Sequence, residues 1–229
     1  MNIDPTYLMF MIPGLLLSLV ASAFVKSTFS KYSKVRCANG LTGAEAARIM
    51  LERNGVSTVR IEHVNGFLSD HYDPSAKVLR LSDSVYGSNS LAAVGVACHE
   101  AGHALQDAER YPAMGLRSAL VPAANIGSKF SYWVIIAGLV LQIANLAYIG
   151  CGLFAMAVLF SIVTLPVEWN ASSRAKVAMV RAGLLSEQER DAAGRVLNAA
   201  FLTYIAGAVS SLLTLLYYIT LARASSRRR

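Results

Sequence analysis

"FSYWVIIAGLVLQIANLAYIGCGLFAMAVLFSIVTLPV", Phe130 to Val167, is a run of 38 residues without a charged side chain, bounded by Lys129 and Glu168. As one helix rising ~1.5 Å per residue it would be about 57 Å long, nearly twice a hydrocarbon core of about 30 Å. The run must therefore turn back and cross twice. "ANLAYIGCG", Ala144 to Gly152, carries the Asn and Gly residues expected of a tight hairpin.

Two more charge-free runs flank this one. "YLMFMIPGLLLSLVASAFV" fills the gap between Asp4 and Lys26, and Val196 to Ala222 forms the last run. Each has the length of one span. The first lacks a basic leader, which argues against a cleaved signal peptide. The expected fold class is a mainly α, polytopic membrane protein with about four transmembrane helices and a small zincin-like α/β region. Composition agrees: of 229 residues, 55% are hydrophobic and only 15% charged, too apolar for an ordinary soluble domain.

The net charge is +7, yet the basic residues sit beside apolar runs and form no stripe with interleaved aromatics. That pattern fits a membrane surface and excludes a nucleic-acid partner from the reading. Lys26, Lys31, Lys34, Arg36, Arg117 and Lys129 lie between the first two spans; Arg174, Lys176, Arg181, Arg190 and Arg195 lie between the last two. Both loops are expected on the cytoplasmic side of a bacterial inner (plasma) membrane. Four spans then put the tail "RASSRRR" outside, against its own charge, and a deep interfacial helix is the alternative for the last run. The expected divisions are span 1 over 1–25, a cytoplasmic α/β region over 26–129, a hairpin of two spans over 130–167, a cytoplasmic segment over 168–195, span 4 over 196–222, and the tail over 223–229. Cys37, Cys98 and Cys151 are odd in number and far apart, and read as buried free thiols.

Within 26–129, "TGAEAARIMLERNG" has a capping box (Thr42, Glu45) and a Gly55 stop. "STVRIEHV" alternates as a strand does, and a turn at Asp73-Pro74-Ser75 leads to a strand over Lys77–Leu81. That strand is a candidate edge for pairing with an extended peptide, though an ordinary sheet strand is equally consistent. "GSNS" supplies N-caps for an Ala-rich helix from about Leu91 to Ala108.

That helix contains "HEAGH", His99 to His103. Histidines four apart share a helix face, so both imidazoles can reach one tetrahedral Zn²⁺. Glu100 projects beside them, placed to take a proton from a water acidified by the metal and pass it to a leaving amine. Gly102 lets another helix approach. A catalytic zinc needs a third protein ligand. A histidine six residues downstream is ruled out by Glu109, and the remaining histidines are His63 and His71. Glu168 stands out because an acid where an apolar run ends is costly unless partnered; a solvated residue heading a helix is the alternative.

"SDHYDPSAKVLRLSDSVYGSNSLAAVGVACHEAGHALQ" (Ser69–Gln106) and "TLPVEWNASSRA" (Thr164–Ala175), with the order of spans, resemble the YugP-type neutral zinc metallopeptidases, a family of bacterial membrane proteins. The resemblance covers nearly the whole chain. It implies His99 and His103 as zinc ligands, Glu100 as catalytic base and Glu168 as third ligand, in the manner of glutamate-zincins. It also leads us to expect an aspartate where Asn170 stands; an uncharged residue there would orient a ligating histidine more weakly. "DHYDP", Asp70 to Pro74, belongs to the resemblance too. His71 or Tyr72 is a candidate oxyanion donor, whereas Asp70 and Asp73 equally fit hairpin capping.

The expected function is a membrane-bound, Zn²⁺-dependent endopeptidase acting on peptides or membrane proteins. The alternative is a membrane scaffold that keeps a weak or inactive zinc site. A transporter is disfavoured, because the spans are nearly free of ionisable groups. A regulatory membrane-protein partner or a homo-oligomer is compatible with this reading but specified by no residue.

Overall fold

The computed structural model describes residues 5–66 and 68–227. Asp4 and the last two arginines of the tail, which entered the topology reading, lie outside the described residues. The chain is mainly helical: α1 (Pro5–Tyr32), α2 (Gly43–Arg53), α3 (Asp83–Tyr86), α4 (Leu91–Ala108), α5 (Pro112–Val140), α6 (Ala144–Arg181) and α7 (Glu187–Ser226). The three strands are β1 (Arg60–Val64), β2 (His71–Asp73) and β3 (Val78–Ser82). Among the described residues, helices α1, α5, α6 and α7 are long and apolar enough to cross a membrane, matching the expected number of four.

Two compact units divide the chain. One holds Met1–Ser22, Gly115–Pro166 and Leu202–Arg229; the other holds Ala23–Met114 and Val167–Phe201.

In the apolar unit the hairpin falls earlier than its composition implied. α5 ends at Val140, Gln142 turns with φ +57°, and α6 begins at Ala144, so "ANLAYIGCG" is helix. Gly150 in this stretch and Gly138 of α5 serve packing. A Cβ on Gly150 would stand 2.8 Å from the Ile135 backbone nitrogen, and one on Gly138 would collide with Ala147. Small residues at these positions let α5 and α6 meet backbone to backbone, as membrane helices do without a hydrophobic drive between them. In the same unit Ser18 and Ser210 are within hydrogen-bond distance, 3.2 Å, joining α1 to α7.

The second unit is built around α4. Ser90 caps it, its hydroxyl accepting from the Ala93 N–H at 3.2 Å. Arg110, φ +53°, ends the turn, and Pro112 opens α5 where no N–H is needed. α4 packs against α2, α3, β2 and β3 and is buried along most of its length. The Thr42 and Glu45 capping box forms as expected, and Gly55 takes φ +75° just past the end of α2. The cysteines are free and buried, Cys98 in this unit's core.

The sheet corrects one expectation. Its order is β1-β3-β2, with β1 parallel and β2 antiparallel to β3. The strand read over Lys77–Leu81 is therefore central, hydrogen-bonded on both sides, with no free edge for a peptide. The cause is β2, too short to show alternation in sequence. Asp73 accepts from the N–H groups of Ser75 and Ala76 at 3.0 Å each, turning the chain back on itself. Asp70 accepts from both the backbone N–H and the hydroxyl of Ser82, at 2.7 and 2.9 Å.

Candidate metal centre

His99 and His103 lie one turn apart on α4, their rings edge to face with centroids 4.8 Å apart. Their partner comes from α6. Gly102 permits this: a Cβ there would stand 2.7 Å from the Ala171 carbonyl oxygen, so only a glycine lets α6 come so close. Glu168 is 2% exposed, and its Oε2 lies 3.2 Å from His99 Nε2 and 3.5 Å from His103 Nε2. Among the described residues, His99, His103 and Glu168 are the one group of three able to offer ligand atoms to a single metal, all within 4.8 Å of one another.

α6 also settles the alternative for Glu168. The helix runs unbroken through Pro166, so Glu168 does not head a helix and is not solvated.

The spacing suits zinc. Metal–ligand bonds of about 2.0–2.1 Å arranged tetrahedrally put neighbouring ligand atoms about 3.3–3.5 Å apart. The His–Glu separations, 3.2 and 3.5 Å, match two such edges, and all three ligand atoms lie within 4.8 Å of one another. Two imidazoles and one carboxylate leave a fourth position open, as catalytic zinc sites do.

The outer nitrogens are held as well. Ser172 Oγ lies 3.1 Å from His99 Nδ1, and Gln106 Oε1 lies 3.0 Å from His103 Nδ1. Burial lowers the proton affinity of His103, but the hydrogen bond and charge of Glu168, with Glu100 and Gln106, outweigh it and leave its pKa raised. Glu100 is half-buried on α4 and has no hydrogen bond or ion pair to another described residue.

Among the described residues, Asn170 makes no hydrogen bond to a histidine. Its Oδ1 accepts from Gln106 Nε2 at 2.9 Å and from Arg174 Nε at 2.6 Å, and the residue facing His103 is Gln106. Neither Gln106 nor Ser172 was assigned a role from sequence. The available signal was spacing: Gln106 is three residues after His103, and Ser172 four after Glu168, each one turn along its helix.

The other candidates lie outside the group. His63 Nε2 pairs with Asp83 at 2.6 Å, and both side chains are exposed. His71 is exposed on β2, with Nδ1 2.9 Å from the Ser69 carbonyl oxygen. The Tyr72 hydroxyl donates to Asp107 at 2.6 Å. Glu109 pairs with Arg174 at 2.6 Å.

Residues 7–223 match the family described as "Putative neutral zinc metallopeptidase". The chain belongs to this family. It is 47% identical over 208 residues to the "Putative membrane protease YugP" of Bacillus subtilis, covering 91% of this chain and 92% of that protein. No solved structure matches the chain. The family is one of zinc peptidases, and the half-buried His99 with the buried His103 and Glu168 forms a group that could hold that metal.

Proposed function

We propose that this member of the family is a membrane-bound zinc endopeptidase of the H-E-x-x-H type. The observation that carries the reading is Glu168: a buried carboxylate against two imidazoles, at distances that match two edges of a tetrahedral zinc site. His99, His103 and Glu168 would hold the ion. Zinc in such a site supplies Lewis-acid polarisation of a peptide carbonyl and water acidic enough to react at neutral pH.

The chain supplies the proton transfers and the positioning. A Glu100 carboxylate oxygen takes a proton from water as its oxygen attacks the scissile carbonyl carbon. The same oxygen then delivers that proton to the leaving nitrogen as the C–N bond breaks, so Glu100 ends the cycle as it began. Ser172 and Gln106 keep the two imidazoles in place. His71, exposed on a strand that packs against α4, is the candidate contact to bound substrate.

Val167 ends the apolar run and Glu168 follows it directly, which supports substrates that are membrane proteins or their juxtamembrane segments. The basic residues flanking the spans support a plasma-membrane protein with this site on the cytoplasmic side. A single cysteine at the exposed Ser75, in a background without the native thiols, should react with an impermeant maleimide only in permeabilised cells; labelling of intact cells would reverse the topology.

Purified protein in detergent should cleave a peptide or casein substrate and stop on chelation. Glu100→Gln should lower the rate by roughly 10²–10⁴-fold while zinc content is retained. His71→Ala should lose less of the rate and no zinc. An unchanged rate in Glu100→Gln would remove Glu100 from the chemistry.

A further inference from the structure

The contact between His103 Nδ1 and Gln106 Oε1, 3.0 Å, has a direction that groups outside the pair determine. Gln106 is fully buried. Its Nε2 lies 2.8 Å from the Val167 carbonyl oxygen, which can only accept. The same nitrogen lies 2.9 Å from Asn170 Oδ1. That oxygen is also an acceptor here, because Arg174 Nε, which can only donate, lies 2.6 Å from it. Arg174 is fixed in turn by Glu109 at 2.6 Å and lies over the Tyr111 ring, 5.8 Å from its centroid. Both amide hydrogens of Gln106 are thus committed away from the histidine. Its oxygen is left facing Nδ1, and His103 must donate.

We infer that Gln106, locked by the Val167 carbonyl and by Asn170 with Arg174 behind it, is a positioning residue that holds His103 in the Nδ1–H tautomer. In that tautomer the Nε2 lone pair is the one that faces Glu168 and the metal position. An amide free to turn would offer its NH₂ group to Nδ1 and put the imidazole proton on Nε2, where it blocks coordination. The lock removes that neutral tautomer, so that only the doubly protonated ring carries a proton on Nε2 to compete with the ion. It uses a neutral amide where many zinc sites use a carboxylate, so His103 is oriented without added negative charge. The chain of contacts spans α4 and α6, so the tautomer is set by how these two helices meet.

The inference rests on the reading of His103 as a zinc ligand, and the test separates the two. Zinc dissociation constants would be measured by chelator competition on full-length protein in detergent, for the wild type, His103→Gln, Gln106→Met and Gln106→Glu. Gln106→Met loses the acceptor and should weaken zinc binding about 10–100-fold, the usual range for loss of such an outer partner. Gln106→Glu loses both donors but keeps an acceptor facing Nδ1, and should stay within about 3-fold of wild type. Equal losses in the two variants would show that Gln106 matters only through its donors, and an unchanged constant in Gln106→Met would remove it from the site; either overturns the inference. Zinc retained in His103→Gln would overturn the ligand assignment itself.

A second measurement needs no variant at position 106. Zinc-free wild-type protein labelled with ¹⁵N-histidine, at a pH where the ring is neutral, should show His103 protonated at Nδ1, the signal assigned by its loss in His103→Gln. Protonation at Nε2 would overturn the inference.

Discussion

Glu168 is the side chain whose surroundings most require a cation. A carboxylate taken this far out of water is costly unless paired, and its partners are two imidazoles whose outer nitrogens are already engaged. Protons on Nε2 or a metal ion can complete the group, and they compete. His103 has a raised pKa, so without metal its protonated form is stabilised by folding. That contribution is fully present below its ordinary value of 6.5 and is lost as the pH rises through the raised one. Chelator-treated protein should therefore lose thermal stability as the pH rises above the ordinary 6.5, and the extra stability conferred by zinc should grow in the same direction. Melting curves with and without zinc across a pH series check this; a zinc increment that does not change with pH would contradict it. At this scale the sequence was informative where polar residues interrupt apolar helix. His99, Glu100, His103 and Glu168 stand out for that reason. Gln106 and Ser172 do not, because a lone amide or hydroxyl on a helix is commonplace and its partner is fixed only by tertiary contact.

At the scale of elements, α4 and α6 meet through Gly102 and Ala171. Gly→Ala in a helix interior is ordinarily favourable by about 0.5–1 kcal/mol. At Gly102 the new methyl would meet backbone 2.7 Å away, and overpacking of this kind costs about 1–3 kcal/mol, so the sign reverses. Gly102→Ala should lower thermal stability and weaken zinc binding, since any shift of α6 carries Glu168 with it. Gly115, where a Cβ meets nothing within 4 Å, is the control. Destabilisation of Gly115→Ala to the same degree would remove the packing argument. The capping boxes and the Leu91–Ala108 helix were legible because caps and periodicity are local chemistry. The hairpin was misplaced because glycine and asparagine mark both turns and close helix contacts. β2 was missed because three residues carry no period, and its short return makes β3 a central strand.

At the scale of the whole molecule, charge-free runs gave the number of spans, because a bilayer imposes length and polarity on each crossing. Which residues from distant parts of the chain come together was not set by any local rule. Its place at the end of the apolar run and the family resemblance both pointed to Glu168, and the structure brings it to the histidines. The proposed hydrolysis therefore depends on one ion joining α4 to α6, and metal analysis of purified full-length protein tests this most directly. Wild-type protein should hold one zinc ion per chain, and both His103→Ala and Glu168→Ala should lose most of it through dialysis while remaining folded. Full retention of zinc by Glu168→Ala would contradict the central claim.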